Sequence, residues 1–426
     1  MTIELSFLMF TEQDDIVPQS GQSEPISNTY IANTLAGNDR ITGTLVDDFP
    51  YYDPNNYSGF INVGELNTDD GNDIITGELV YSIRHSPRPS GYNIINFGLL
   101  NTGEGNDRID GSYRNFYGYF RAYGGIYNSG TLNAGEGDDT ISGFGKGLDG
   151  FVNNGTLNTE GGNDIITAFS VFHFNSTYPG TGFLNNEGST LNTGEGNDTI
   201  IGRSESSPFG ILNESGSTIN TGNGEDSINS VLGTFSNAGY VFLGQGNDSI
   251  TATYPDRTLE NFNAIETGDG DDIITITGVL YNEGVINTGN GDDSIIVYEN
   301  FYDIFTNYYS IYNNGGSIDT GDGNDSIITN ANFRSGENNS GAWFLGEGED
   351  YIKGFGNGDF YGGNGNDTLE LISGTYTVGI WGEGGESPIF TKGDQLMITS
   401  EFEKLKAGGT IYDFSSLTAG QIITVA

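Results

Sequence analysis

Thr102-Gly103-Glu104-Gly105-Asn106-Asp107-Arg108-Ile109 is the stretch on which the fold turns. Two glycines flank one residue, Asn-Asp follows, and a large aliphatic residue stands two places after the Asp. Such glycines permit a tight turn, and a branched residue just beyond it starts a strand. The same frame recurs in Thr193-Gly194-Glu195-Gly196-Asn197-Asp198-Thr199-Ile200 and in Gly362-Gly363-Asn364-Gly365-Asn366-Asp367-Thr368-Leu369. Thirteen copies are present, anchored at Asp39, Asp73, Asp107, Asp139, Asp164, Asp198, Asp226, Asp248, Asp272, Asp293, Asp325, Asp350 and Asp367. Intervals run from 17 residues (Asp350 to Asp367) to 34 (Asp39 to Asp73), about 27 on average. One motif repeated at coil length marks a solenoid.

A second ladder accompanies the first. Upstream of most motifs stands an Asn-x-Gly or Asn-x-x-Gly turn, as in Tyr127-Asn128-Ser129-Gly130, Val152-Asn153-Asn154-Gly155, Tyr281-Asn282-Glu283-Gly284 and Tyr312-Asn313-Asn314-Gly315, followed by Leu/Ile-Asn-Thr. Asn and Gly tolerate φ > 0, so these read as corners between strands. The coil from Asp272 to Asp293 resolves into three strands: Ile273 to Thr277, Val279 to Tyr281 and Val285 to Asn287. No window carries sustained helical periodicity, and Gly falls too often to allow one. The expected fold is all-β: a right-handed parallel β-helix or β-roll-like solenoid of about 13 coils with terminal caps. Residues 1–33 read as an N-terminal cap and linker, 34–370 as the solenoid and 371–426 as a C-terminal cap.

Charge points to a counterion. Net charge is −44, from 58 acidic and 14 basic residues. That argues against nucleic acid, whose phosphates demand Lys and Arg. Aromatic content of 12% argues against a disordered acidic chain, and the lack of Cys excludes disulfides and thiolate metal sites. No stretch reaches the roughly 18 apolar residues of a membrane span. Met1 to Phe10 lacks a basic n-region and a cleavage site, so it does not read as a Sec signal.

Stacked coils bring equivalent turns about 4.8 Å apart. Two carboxylates at that separation repel by roughly 3.5 kcal/mol at an effective dielectric of about 20. A column of thirteen needs cations between its rungs. Carbonyl and carboxylate oxygens converging on a glycine turn suit Ca²⁺, which takes six to eight hard oxygen ligands. The candidate ligands are the thirteen Asp carboxylates and the turn backbone at Gly103, Gly105, Gly135, Gly137, Gly194, Gly196, Gly222, Gly224, Gly244, Gly246, Gly268, Gly270, Gly289, Gly291, Gly321, Gly323, Gly346, Gly348, Gly363 and Gly365. One ion per pair of adjacent coils gives up to about twelve sites. Ten independent sites, each tenfold saturated, add about 14 kcal/mol, so folding is expected to depend on calcium. The competing reading makes the turns plain corners, satisfied by side-chain-to-backbone hydrogen bonds. Three copies lack one glycine, at Thr34–Asp39, Thr68–Asp73 and Thr159–Asp164, and Glu225 replaces Asn before Asp226. Weaker or empty sites are expected at the first rungs.

These turns resemble the RTX, or haemolysin-type, nonapeptide G-G-x-G-x-D-x-U-x, and Gly362 to Glu370 matches every fixed position. Most other copies put Thr, or Leu in Leu345-Gly346-Glu347-Gly348-Glu349-Asp350, at the first place. The resemblance implies a calcium-bound parallel β-roll. It departs in using one motif per long coil, which implies calcium on one edge of a wider helix. It also implies that the tail, with Lys392, Lys404, Lys406 and the apolar end Gln421 to Ala426, doubles as an uncleaved type I export signal. The location expected is extracellular or cell-surface, with calcium as the principal partner.

No catalytic constellation emerges. His85 and His173 stand alone, and neither H-E-x-x-H nor G-x-S-x-G occurs. A structural or adhesive protein is therefore expected rather than an enzyme. The alternative is a carbohydrate-active β-helix with a groove on its long-insert face, using Asp/Glu and Arg84, Arg88, Arg114 or Arg121. The inserts are aromatic: Pro50 to Tyr57, Tyr113 to Tyr123, Phe169 to Tyr178 and Phe301 to Tyr312. They read first as packing, with stacking on a cell-surface polysaccharide or another protein as the further expectation. Ice binding ranks lower, since no flat T-x-T row on successive coils is legible.

Overall fold

The computed structural model describes residues 2–19, 23–47, 58–81, 91–112, 122–172, 179–205, 207–298, 309–336, 340–382 and 387–426. Arg84, Arg88, Arg114, Arg121, His85, His173 and most of the aromatic inserts lie outside the described residues. Among those described, the chain is strand throughout, apart from two three-residue 3₁₀ turns at Leu5–Phe7 and Phe414–Ser416. It is a parallel β-helix. Among the described residues no helix is long and apolar enough to cross a membrane.

Two compact units divide the chain, Met1–Phe235 and Ser236–Ala426. In the first, a coil consists of a strand after the Asp turn (Ile74–Tyr81), a second (Gly91–Asn96) and a third leading into the next turn (Leu99–Glu104). Equivalent strands pair parallel and in register. The aliphatic residue two places after each Asp forms one column: Ile41, Ile75, Ile109, Ile141, Ile166, Ile200 and Ile228. Every member is at most 1% exposed. Leu66, Leu100, Leu132, Leu157, Leu191 and Ile219 form a second column, and Ile26, Phe60, Ile94, Ile126, Phe151, Phe183 and Ile211 a third. Each such side chain contributes about 1.5–3 kcal/mol by leaving water. A one-residue slip would turn all three columns outward, so the register is strongly specified.

The second unit repeats this plan with Ile250, Ile274, Ile295, Ile327, Ile352 and Leu369 after its Asp turns. Toward its end the core becomes aromatic: Phe333, Trp343 and Phe360 are fully buried, the last two stacked at 4.4 Å. In the coil that starts at Asp272 the first two expected strands are one, Ile273–Asn282, and the third runs on to Asn290. Gly278 at φ 139° bends the chain without breaking the ladder. The parallel stack then gives way to antiparallel pairs: Gly374–Trp381 with Ser387–Lys392 and with Ile422–Val425, and Lys404–Ala407 with Thr410–Asp413.

Candidate metal-binding turn column

The motif turns build a ladder from the backbone up. The second glycine of each turn has a φ that L-residues rarely adopt, +133° at Gly105 and +133° at Gly291. Space forbids a side chain as well. A Cβ on Gly105 would sit 1.8 Å from the carbonyl oxygen of Gly71, one coil away, and 3.3 Å from the Asn72 amide oxygen. On Gly365 it would meet the Gly348 oxygen at 1.5 Å and Asp367 Oδ1 at 3.1 Å. Turn carbonyls, amide oxygens and carboxylates thus share one small volume.

The Asp side chains point inward at this edge. All thirteen are at most 2% exposed. In the first unit the amides of Asp39, Asp73, Asp107, Asp139, Asp164 and Asp198 each donate to Oδ1 of the Asp one coil on, at 2.7–2.8 Å. In the second unit Asp248, Asp272, Asp293, Asp325 and Asp350 do the same at 2.7–2.9 Å. The preceding residue zips the coils the other way: Asn38 Oδ1 accepts from the Asn72 amide, and Asn72 Oδ1 from Asn106. Oδ1 is therefore satisfied by protein, as the corner reading required. Oδ2 is not. In Asp39, Asp73, Asp107, Asp139, Asp164, Asp198, Asp272, Asp293, Asp325, Asp350 and Asp367, Oδ2 is buried with no hydrogen-bond partner.

Burial pushes these carboxyls up: Asp139 to about 8, Asp73, Asp198 and Asp325 to about 7, and Asp107, Asp164, Asp293, Asp350 and Asp367 to about 6. Desolvation is the principal cause, assisted by neighbouring Asp charges at Asp139 and Asp325; the motif Thr hydroxyl, at Asp73, Asp164 and Asp198, and the amide from the adjacent coil pull the other way. A row of buried carboxylates, each with one oxygen unspent, fits a hard cation. The residues that would hold it are the Asp Oδ2 atoms and turn carbonyls. Among the described residues no three His, Cys, Asp or Glu cluster into a metal site, so backbone oxygens would have to complete the shell.

Sequence reasoning missed three parts of this edge. Thr at the first motif position forms its own buried ladder, each Oγ donating to the carbonyl one coil on: Thr68 to Thr102 at 3.0 Å, Thr193 to Thr221 at 3.0 Å and Thr267 to Thr288 at 2.9 Å. The ladder also runs past both ends of the motif array. Asp15 donates its amide to Asp39 Oδ1 at 2.8 Å, and Glu403 Oε2 accepts from the Asp367 amide at 2.8 Å. Asp15-Ile16-Val17 and Glu403-Lys404-Leu405 keep the carboxylate-x-aliphatic spacing that was the available signal.

The Asn-x-Gly corners work differently from expectation. None of their Asn residues has φ > 0. Instead Asn28, Asn62, Asn96, Asn128, Asn153, Asn185 and Asn213 form a buried amide ladder at 2.8–2.9 Å, and the first six also donate to the third strand of the next coil. Asn237, Asn261, Asn282 and Asn313 repeat it in the second unit at 2.9 Å. Some corner glycines are there for space: a Cβ on Gly98 would lie 1.9 Å from the Gly64 oxygen, and one on Gly130 2.0 Å from the Gly98 oxygen, whereas Gly188, Gly216 and Gly315 take the expected φ > 0, at +73°, +71° and +83°.

No protein-family model and no curated protein matches the chain. Among solved structures, the crystal structure of a hyperactive, Ca²⁺-dependent, β-helical antifreeze protein from an Antarctic bacterium is similar, with a TM-score of 0.42 and 20% identity. The match covers 76% of this chain and 82% of that one.

Proposed function

We propose that this chain is a calcium-binding solenoid whose coils are locked together by Ca²⁺ along the Asp edge. One observation carries the reading: buried Asp oxygens with no hydrogen-bond partner, repeated rung after rung. An unsatisfied buried carboxylate oxygen is costly, and natural folds do not stack many of them without compensation. A divalent cation removes the penalty and the repulsion together. We read the turns as a divergent form of the RTX-like repeat, with one motif per coil. Coupling folding to calcium would hold the chain loose in a calcium-poor cytosol and fix it outside, in a structural or adhesive role.

The test is a calcium titration of the metal-free chain at pH 8, followed by far-UV circular dichroism and calorimetry with Mg²⁺ as control. The expected result is a cooperative gain of β-structure with several Ca²⁺ bound per chain and none with Mg²⁺. The plain-corner reading rests on the satisfied Oδ1 ladder and predicts full β-structure in chelator with no heat of calcium binding. That result would overturn the proposal.

A further inference from the structure

We propose that the second unit carries a binding site for a neutral saccharide chain on its Tyr/Arg corner, apart from the Asp column. The corner lies beside the Asn ladder, where Tyr281, Tyr312 and Arg334 occupy one register position on three successive coils. Phe262, Tyr281, Tyr312 and Tyr309 run as a chain of rings with centroids 5.9, 5.2 and 5.2 Å apart. Phe262 is 41% exposed and Tyr309 and Tyr312 are half-buried, while Tyr281, only 7% exposed, backs the row from within.

Polar groups are fixed around these rings. Asn314 Nδ2 donates to Glu283 Oε1 at 2.7 Å and to the Tyr281 hydroxyl at 3.0 Å, and Tyr312 donates to Asn314 Oδ1 at 3.1 Å. The Tyr281 hydroxyl also donates to Glu283. The Arg334 guanidinium lies 4.7 Å from the Tyr312 centroid and 5.1 Å from that of Tyr309. It makes no ion pair among the described residues, although the chain carries 58 acidic residues. Its forked donors are held flat by stacking and are unspent on a carboxylate.

The combination selects the ligand. Aromatic surface accepts the apolar C–H face of a pyranose, while a carboxylate, an amide and a guanidinium pair with vicinal hydroxyls. Of these rings Phe262, Tyr312 and Tyr309 reach solvent, so an extended sugar chain can touch more than one of them. A polyanion is disfavoured by the net charge of −44, and Glu283 sits within the cluster itself.

The experiment uses the full chain, folded in calcium, with cellohexaose, laminarihexaose and maltohexaose as probes and hexagalacturonate as the acidic control. Saturation-transfer NMR identifies contact with sugar C–H protons, and calorimetry gives the affinity. At least one neutral hexasaccharide should bind, and Arg334→Ala and Tyr312→Ala should each weaken it tenfold or more. Their circular dichroism and calcium midpoint should match the parent. Should Tyr312→Ala misfold, the exposed Phe262→Ala takes its place. The proposal fails if no neutral probe binds, if only hexagalacturonate binds, or if the variants bind as tightly as the parent. Loss of calcium-dependent folding would show separately in the dichroism, so failure of the column and failure of this corner are distinguishable.

Discussion

The seven motif turns of the first unit and the six of the second make the same Asp-to-Asp hydrogen bond from different backbones. In the second unit every turn has glycine at the first position, with φ between +90° and +116°. In the first unit Gly103, Gly135, Gly194 and Gly222 do the same at +101° to +106°, but Leu35, Asp69 and Glu160 stand there at +60° to +68°. The latter is the left-handed helical well, open to L-residues at a cost of order 1–2 kcal/mol. The third strand stops short at those turns, at Asn33, Asn67 and Asn158, whereas at turns with both glycines it runs to Glu104 and Glu195, though before Gly321 it too ends early, at Asp319. Ladder distances are nonetheless alike, 2.7 Å from Asp39 to Asp73 and 2.8 Å from Asp139 to Asp164. The Asp ladder thus tolerates two turn conformations; the disposition of the turn carbonyls, which a cation would use, is what separates them.

The largest expected effect is on the metal-free chain as pH changes. A carboxyl whose folded pKa is raised stabilises the fold while it is protonated. That contribution is fully present below about pH 4, the unfolded value, and is lost as pH rises through the folded values of about 6 to about 8. In chelator the chain should therefore be folded near pH 5 and unfold progressively toward pH 9. Calcium, which needs the ionised form, should reverse the trend. The units should separate as well: a raised carboxyl goes on losing stability until pH passes its folded value, and Asp139, raised to about 8, lies in the first unit, whereas Asp325 in the second is raised to about 7. Hydrogen exchange followed by mass spectrometry should show the first unit opening first as pH climbs. Simultaneous opening would mean the rung-to-rung differences do not govern stability.

Next in size is a backbone test. Gly289→Ala places a Cβ 1.9 Å from the Gly268 oxygen at φ +101°, which the turn cannot relieve without moving a neighbouring coil. It should cost about 3 kcal/mol or more in urea unfolding, in calcium at pH 8 and in chelator at pH 5 alike. Glu160→Ala at the corresponding place in the first unit should change stability by less than about 0.5 kcal/mol. Equal costs would erase the distinction between the turn classes.

Much of this edge was legible beforehand. All thirteen Asp and the aliphatic residue two places on fall in the expected ladder and core columns, because tight turns and inward side chains leave local signatures. What escaped depends on coil-to-coil register, which no single coil reveals. Asn128 reads as a corner residue until Asn96 and Asn153 are stacked on either side of it. Gly98 and Gly130 look like positive-φ residues, although their constraint comes from a carbonyl more than thirty residues away in the chain. Asp15 and Glu403 lack the glycine frame because an end rung has a neighbour on one side only.

A smaller effect is expected from neutralising single rungs. Asn in place of Asp keeps an oxygen for the neighbouring amide and removes the charge. Asp325→Asn should reduce the calcium bound per chain by one or two ions and, in chelator, leave unchanged or raise the pH at which the fold is lost. Asp164→Asn, in a turn with Glu160 at the first position, should leave the stoichiometry unchanged if those turns hold calcium weakly. Calorimetry on both variants decides this, and equal losses would place cations at every rung regardless of turn type.

The smallest effect sharpens the comparison in the other direction. Glu160→Gly gives a first-unit turn the second-unit sequence pattern. Relief of the left-handed conformation favours the fold, and the added freedom of glycine in the unfolded chain opposes it. The net gain in chelator should stay within about 1 kcal/mol. Its larger consequence should appear only with calcium, where a backbone free to reach φ near +100° can present its carbonyls as the neighbouring Gly135 and Gly194 turns do. A gain that grows with calcium concentration would tie the first glycine to the cation. A gain independent of calcium would make that glycine a matter of backbone strain alone, leaving the Asp oxygens as the sole determinant of the column.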